Sequence, residues 1–185
     1  MAVIDLPGFA ADLKDHLVEH GFHVHDERHF VETYSMRQTW EVDSHPEEAC
    51  EGPLDLFVAL ELDPRTVFSF EDAVVTAVEG QEPPDEYFVT FTCSWALPPL
   101  PHGPDLLILA TDLAGIGGPE FPIEVSATDS YPSPTDAPER TLRIVARQQI
   151  SLLRILDGTA VPCETIDRVM GVSKFLLDAA PQWMS

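Results

Sequence analysis

The chain has 185 residues, 44% of them apolar, enough for a single core that buries roughly 70% of the unfolded surface without a disulfide or metal staple. Its 32 acidic residues against 10 basic ones leave a formal charge of −22 at pH 7. A field of that sign repels nucleic-acid backbones and anionic membrane surfaces, so no nucleic acid and no membrane is expected among its partners.

The longest apolar runs fall far short of the ~20 residues that span a bilayer. The start, Met1 to Phe9, lacks the basic and then apolar order of a secretion signal. Cys50, Cys93 and Cys163 form no C-x-x-C pair, which suits a reduced, cytoplasmic protein. Charge is also segmental: residues 1–139 hold 28 acids and 4 bases, whereas 140–185 hold 4 acids and 6 bases. Basic proteins, metal ions or the basic segment itself would complement the acidic stretch, and solubility alone is the competing explanation.

Taken in chain order, residues 5–20 predict an amphipathic helix, with Leu6, Phe9, Ala10, Leu13 and Leu17 at helical spacing. Pro7 fits its first turn and Gly21 its stop. From Phe22 to Val42 the pattern becomes strand-like in two segments, the better one placing Met36, Gln38, Trp40 and Val42 on one face. His45 to Pro53 reads as an exposed acidic loop. Leu54 to Leu62 is the best-determined element: Leu54, Leu56, Val58, Leu60 and Leu62 alternate with Asp55, Phe57, Ala59 and Glu61. That is a strand with one face on the core and the other partly covered.

Ser69 and Asp72 suggest a cap for a short helix over Glu71–Val78, although its valines also suit a strand. After a turn at Gly80–Asp85, Tyr87, Val89, Phe91, Cys93 and Trp95 mark a second alternating strand ending at Ala96. Pro98 to Pro104 forms a stiff loop. Asp105 to Ala114 predicts a helix closed by Gly115, Phe121 to Ala127 a short strand, and Tyr131 to Pro138 a second proline loop. Asp136 and Glu139 have capping-box spacing before a long helix, Glu139 to Leu156. Its apolar face is Leu142, Val145, Ala146, Leu152, Leu153 and Leu156, with Arg140, Arg143, Arg147 and Arg154 opposite. Gly158 to Pro162 turns into a last helix, Cys163 to Ala179. These elements predict one α+β domain over residues 1–185. An antiparallel sheet of four to six strands carries an N-terminal helix and a C-terminal helical pair.

Among chemistry-bearing residues, His16, His20, His23, His25 and His29 cluster in sequence. Neutral imidazoles are common metal ligands. His16 and His20 stand at i, i+4 on the first helix, and an extended 22–25 puts His23 and His25 on one strand face. Residues 16–20, His-Leu-Val-Glu-His, match H-x-x-E-H and so resemble the inverted zinc-peptidase signature. That resemblance implies His16 and His20 as zinc ligands and Glu19 as the base. The family's distant third-ligand glutamate has no counterpart at its expected distance, where Trp95, Ala96 and Leu97 stand. Gly115 to Gly118 follows a helix and leads into Pro119, so it reads as a helix stop and not a phosphate loop. Arg143 and Arg147 could grip an anion or neutralise the acidic segment.

Two functional classes follow. The first is a small acidic binding or adaptor protein of chaperone, immunity or antitoxin type. It needs no cofactor and would meet a basic partner protein through acids such as Glu47, Glu48 and Glu51. The alternative is a small zinc hydrolase drawing on His16, His20, His23 and His25, with Glu19 catalytic.

Overall fold

A computed structural model describes residues 3–78, 82–131, 133, 138–160 and 162–184. The chain begins with helix α1, Leu6–Glu19, capped where the Asp5 side chain accepts a hydrogen bond from Gly8 N and closed by Gly21 at φ 87°. A hairpin of β1, Phe22–Val31, and β2, Gln38–Pro46, leads through a single 3-10 turn, Glu47–Ala49, into β3, Asp55–Leu62. Helix α2, Pro64–Thr76, is followed by β4, Phe88–Ala96, and by α3, Leu106–Gly117. Strands β5, Ile123–Ser130, and β6, Glu139–Ser151, run into the short α4, Leu152–Leu156, and the long α5, Cys163–Met184.

The strands form one six-stranded sheet in the order β1-β2-β3-β4-β6-β5, every neighbouring pair antiparallel. This is the α+β arrangement the alternation of β3 and β4 predicts. Leu54, Leu56, Val58 and Leu60 are each at most 1% exposed and Leu62 is 6% exposed. β3 is therefore an inner strand whose even-numbered side chains all enter the core.

Cross-strand register carries that face across the sheet. Val42, Val58, Cys93, Ala146 and Ile123 form one row, and Ser44, Leu56, Trp95, Ile144 and Val125 the next. All the helices pack on this one face. Leu13 and Leu17 of α1, Leu109 and Leu113 of α3, and Ile166, Val169, Val172 and Leu176 of α5 share a cluster with Val58, Cys93 and Ala146. Phe70 of α2 and Leu152 join Leu60, Leu62 and Val89 in a second cluster. The Trp95 indole N–H donates to Ser173 Oγ at 2.9 Å, pinning α5 to β4.

The expected helix over Glu139–Leu156 is corrected. Residues 139–151 are a strand bonded on both sides, to β4 and β5, and only 152–156 are helical. The segment carries two apolar patterns. Leu142, Ile144, Ala146 and Ile150 alternate as a strand, while Leu142, Val145 and Ala146 also suit a helix. Pairing decides between them, because two flanking strands offer the backbone a complete ladder. Asp136, the expected cap, lies outside the described residues.

Smaller boundaries shift for local reasons. α2 starts at Pro64 because the Asp63 side chain accepts from Arg65 N, so Ser69 is interior. α3 runs past Gly115 to Gly117, and Gly118 at φ 68° ends it. Met36 lies before β2 at φ 58°, in the hairpin turn. Of the loop expected from His45 to Pro53, His45 and Pro46 are instead the end of β2, with His45 only 7% exposed, and the exposed acidic turn begins at Glu47. The last helix continues beyond Ala179 to Met184.

Candidate binding face

Because every helix lies on one side, the other side of the sheet carries none among the described residues. Its rows follow from the same register. One runs Asp26, Asp43, Phe57, Ser94, Val145 and Glu124; the next runs Arg28, Glu41, Ala59, Thr92 and Arg147; a third holds Asp55, Ala96, Arg143 and Ser126. The middle of the face is small or apolar, with Phe57 and Ala59 half-buried and Thr92 and Val145 buried under their neighbours. Such a smooth centre with charged margins is the usual make-up of a protein-binding patch.

Charge is polarised along the rows. On β1 to β3 the face carries Asp26, Glu41, Asp43, Asp55 and Glu61, with Arg28 the basic residue among them. The Arg28 guanidinium donates to Asp26 at 2.8 Å and lies 3.6 Å from Glu41 and 3.9 Å from Asp43. Its hydrogen bond, helped by the backbone N–H of Glu27, holds the Asp26 carboxyl below the usual range. At the β6 side Arg143 and Arg147 take over. Arg147 Nη1 lies 3.7 Å from Glu124, and Arg143 is exposed with no ion pair among the described residues. The two arginines expected on a helix thus share a sheet face, since residues four apart also agree in a period of two. Arg140 instead forms a bidentate pair with Asp129, its strand partner, at 2.6 and 2.8 Å.

Glu47, Glu48 and Glu51 are exposed on the turn between β2 and β3. Glu48 lies 3.4 Å from Lys174 of α5. They form a second acidic region beside the end of the sheet.

The histidines separate into two groups. His16 Nδ1 bonds to the Asp12 carbonyl and His20 Nδ1 to Asp167 Oδ1, each at 2.8 Å. Glu19 is exposed. Neither His16 nor His20 belongs to a set of converging ligand atoms, so the H-x-x-E-H match on α1 is not assembled as a metal site among the described residues.

His23 and His25 do converge, with a residue the sequence reading did not select. β1 bulges between Val24 and Asp26, and His23 pairs across the hairpin with His45. The ring centroids are 4.6 Å apart for His23–His25 and 4.4 Å for His25–His45, and the two Nε2 atoms of the latter pair are 3.1 Å apart. Burial, then the neighbouring His25 and His23, hold the His45 imidazole below its ordinary pKa, against the pull of Asp55 and Asp43. Beyond the bulge the alternation flips: Glu27 turns to the helix side, where it meets Lys14 at 2.7 Å, and His29 stacks on Trp40 at 4.4 Å.

Two recesses lie elsewhere, near α1 and α4. One, of about 340 Å³, is bordered by Asp85, Gln148, Ser151, Arg154 and Thr165; the other, of about 480 Å³, by Asp5, Asp12, His16 and Leu156. Cys93 is buried, and burial pushes its thiol pKa well up. No helix among the described residues is long and apolar enough to cross a membrane. In comparisons with known proteins, no family model, no curated protein and no solved structure matches the chain.

Proposed function

We propose that this chain is a binding or adaptor protein that receives a basic partner protein on the helix-free face of its sheet. The observation that supports this reading is the graded face itself. Carboxylates are gathered on β1 to β3, a small apolar centre occupies β3 and β4, and arginines stand at β6. The apolar centre supplies contact area, the acidic strands attract cations, and the arginine margin orients the partner by repelling its basic end. Glu47, Glu48 and Glu51 extend the attraction beyond the sheet. The three cysteines, all free, fit a cytoplasmic site of action.

Charge steering has a kinetic signature, because the Debye length shrinks from about 10 Å at 0.1 M salt to about 3 Å at 1 M. The test uses the wild-type chain and an Asp43→Lys/Asp55→Lys variant as baits in an extract of the source cells. A protein retained by the first and lost by the second is then purified and its association timed against salt. A basic partner should associate roughly tenfold or more slowly at high salt, and with the variant even at low salt. Equal rates for both baits, or a rate indifferent to salt, would refute the reading.

A further inference from the structure

We propose that His23, His25 and His45 form a binding site for one zinc ion at the end of the β1–β2 hairpin. Each imidazole offers one nitrogen, and the three nitrogens lie within 4.8 Å of one another. Two nitrogens bound to tetrahedral zinc at 2.0–2.1 Å stand about 3.3 Å apart. The His25 Nε2 to His45 Nε2 separation of 3.1 Å is already at that value, so only His23 has to close in.

The arrangement is built by the backbone and does not depend on flexible side chains meeting. His23 and His25 share a face because strand side chains alternate. His45 lies opposite His23 in the ladder. The bulge between Val24 and Asp26 leaves His25 as its unpaired residue and turns Glu27 and His29 to the other face, so the site ends at three histidines. At 7% exposure His45 forms the floor, while His23 and His25 are exposed above it. Two Nε2 atoms at 3.1 Å have room for one proton between them, and a divalent cation satisfies both lone pairs at once.

Hard cations such as calcium and magnesium require oxygen ligands, whereas imidazole suits zinc and its first-row neighbours. Asp43 and Asp55, whose charges act on His45, add a field that favours a cation. Cys50 Sγ is 3.3 Å from His23 Nδ1 but is not one of the converging groups. It therefore serves as a partner that orients the His23 ring, and the fourth zinc position is left for solvent or an added ligand. Its ligands are the three imidazoles, none of which the partner-binding reading uses, although Asp43 and Asp55 lend their charge to both.

The experiment titrates zinc into the full chain, purified without an affinity tag and stripped with a chelator, against a chromophoric zinc indicator. One zinc per chain is expected, with a rise in melting temperature and no competition from calcium or magnesium. His25→Gln should weaken binding at least tenfold while its far-ultraviolet circular dichroism stays native. His45→Gln should do the same, and if that buried variant fails to fold, the exposed His23→Gln takes its place. A His16→Gln/His20→Gln variant should bind as wild type does. Cobalt(II) in the site should show no thiolate charge-transfer band. Absence of stoichiometric zinc, unchanged affinity in His25→Gln, or loss of zinc in the His16→Gln/His20→Gln variant would overturn the site. A thiolate band removed by Cys50→Ser would overturn its three-histidine ligand set.

Discussion

Val58 and Phe57 are adjacent on β3 and point to opposite faces, so one substitution made at each measures what separates the two sides of the sheet. Val58 is 1% exposed and sits between Val42 and Cys93 in its row. Val58→Asp forfeits the burial of a valine, roughly 1.5–3 kcal/mol. Keeping the new carboxyl neutral at pH 7, against an ordinary pKa of about 3.9, adds roughly 4 kcal/mol at 1.36 kcal/mol per unit. Together these reach about 6 kcal/mol, comparable to the whole stability of a typical domain, about 5–15 kcal/mol.

Phe57 is half-buried on the helix-free face, where water reaches a carboxylate, and Phe57→Asp should cost only about 1 kcal/mol of lost contact. Urea denaturation followed by tryptophan fluorescence and by far-ultraviolet circular dichroism gives both values. Val58→Asp should be unfolded or nearly so, and Phe57→Asp folded but impaired in partner binding. A Val58→Asp protein within about 1 kcal/mol of wild type, or a Phe57→Asp protein as unstable as Val58→Asp, would refute the assignment of faces.

Ser173→Ala removes the acceptor of the buried Trp95 indole N–H, and an unpaired buried donor should cost roughly 1–3 kcal/mol. Trp95→Phe should then cost less in the Ser173→Ala background than in wild type, and additive costs would show the hydrogen bond to be inert. Gly118 has φ 68° and ψ −177°, a region essentially restricted to glycine, so Gly118→Ala should lose about 1–3 kcal/mol by chemical denaturation. A neutral effect would exclude backbone strain there. Burial holds the His45 pKa down, so below about pH 6.5 the unfolded imidazole takes up a proton more readily than the folded one. The associated stability is fully present above pH 6.5 and declines as the pH falls through the folded pKa. The denaturation midpoint of the metal-free protein should therefore drop between pH 7.5 and 5.5, and less steeply in His45→Gln. Parallel profiles would show that His45 does not carry the effect.

The amino-acid sequence by itself determined the elements whose burial pattern has one reading. In β3 the even-numbered residues are all aliphatic and the odd ones mixed, and no helical wheel gathers Leu54 to Leu62 on one side. The same holds for Val89 to Trp95 in β4, and for α1, where helical spacing and Gly21 agree. Tertiary structure decided wherever two periods fit equally well. Residues 139–151 satisfy both a helix and a strand. The strand forms because β4 and β5, distant in sequence, bond to both of its edges, an interaction that no local propensity encodes.

The candidate site divides along the same line. Mixed polarity at Asp55, Phe57, Ala59 and Glu61 already marked a second, partly covered face on β3. Its charge gradient, however, depends on Arg28, Asp43, Arg143 and Arg147 being placed beside it by strand order. His23 and His25 were visible as a pair from their spacing. His45 could not be, because its position opposite His23 depends on where the hairpin turn at residues 32–37 sets the register. A one-residue slip in that register would move every β2 side chain to the other face, carrying His45 into the core and Ser44 into its place.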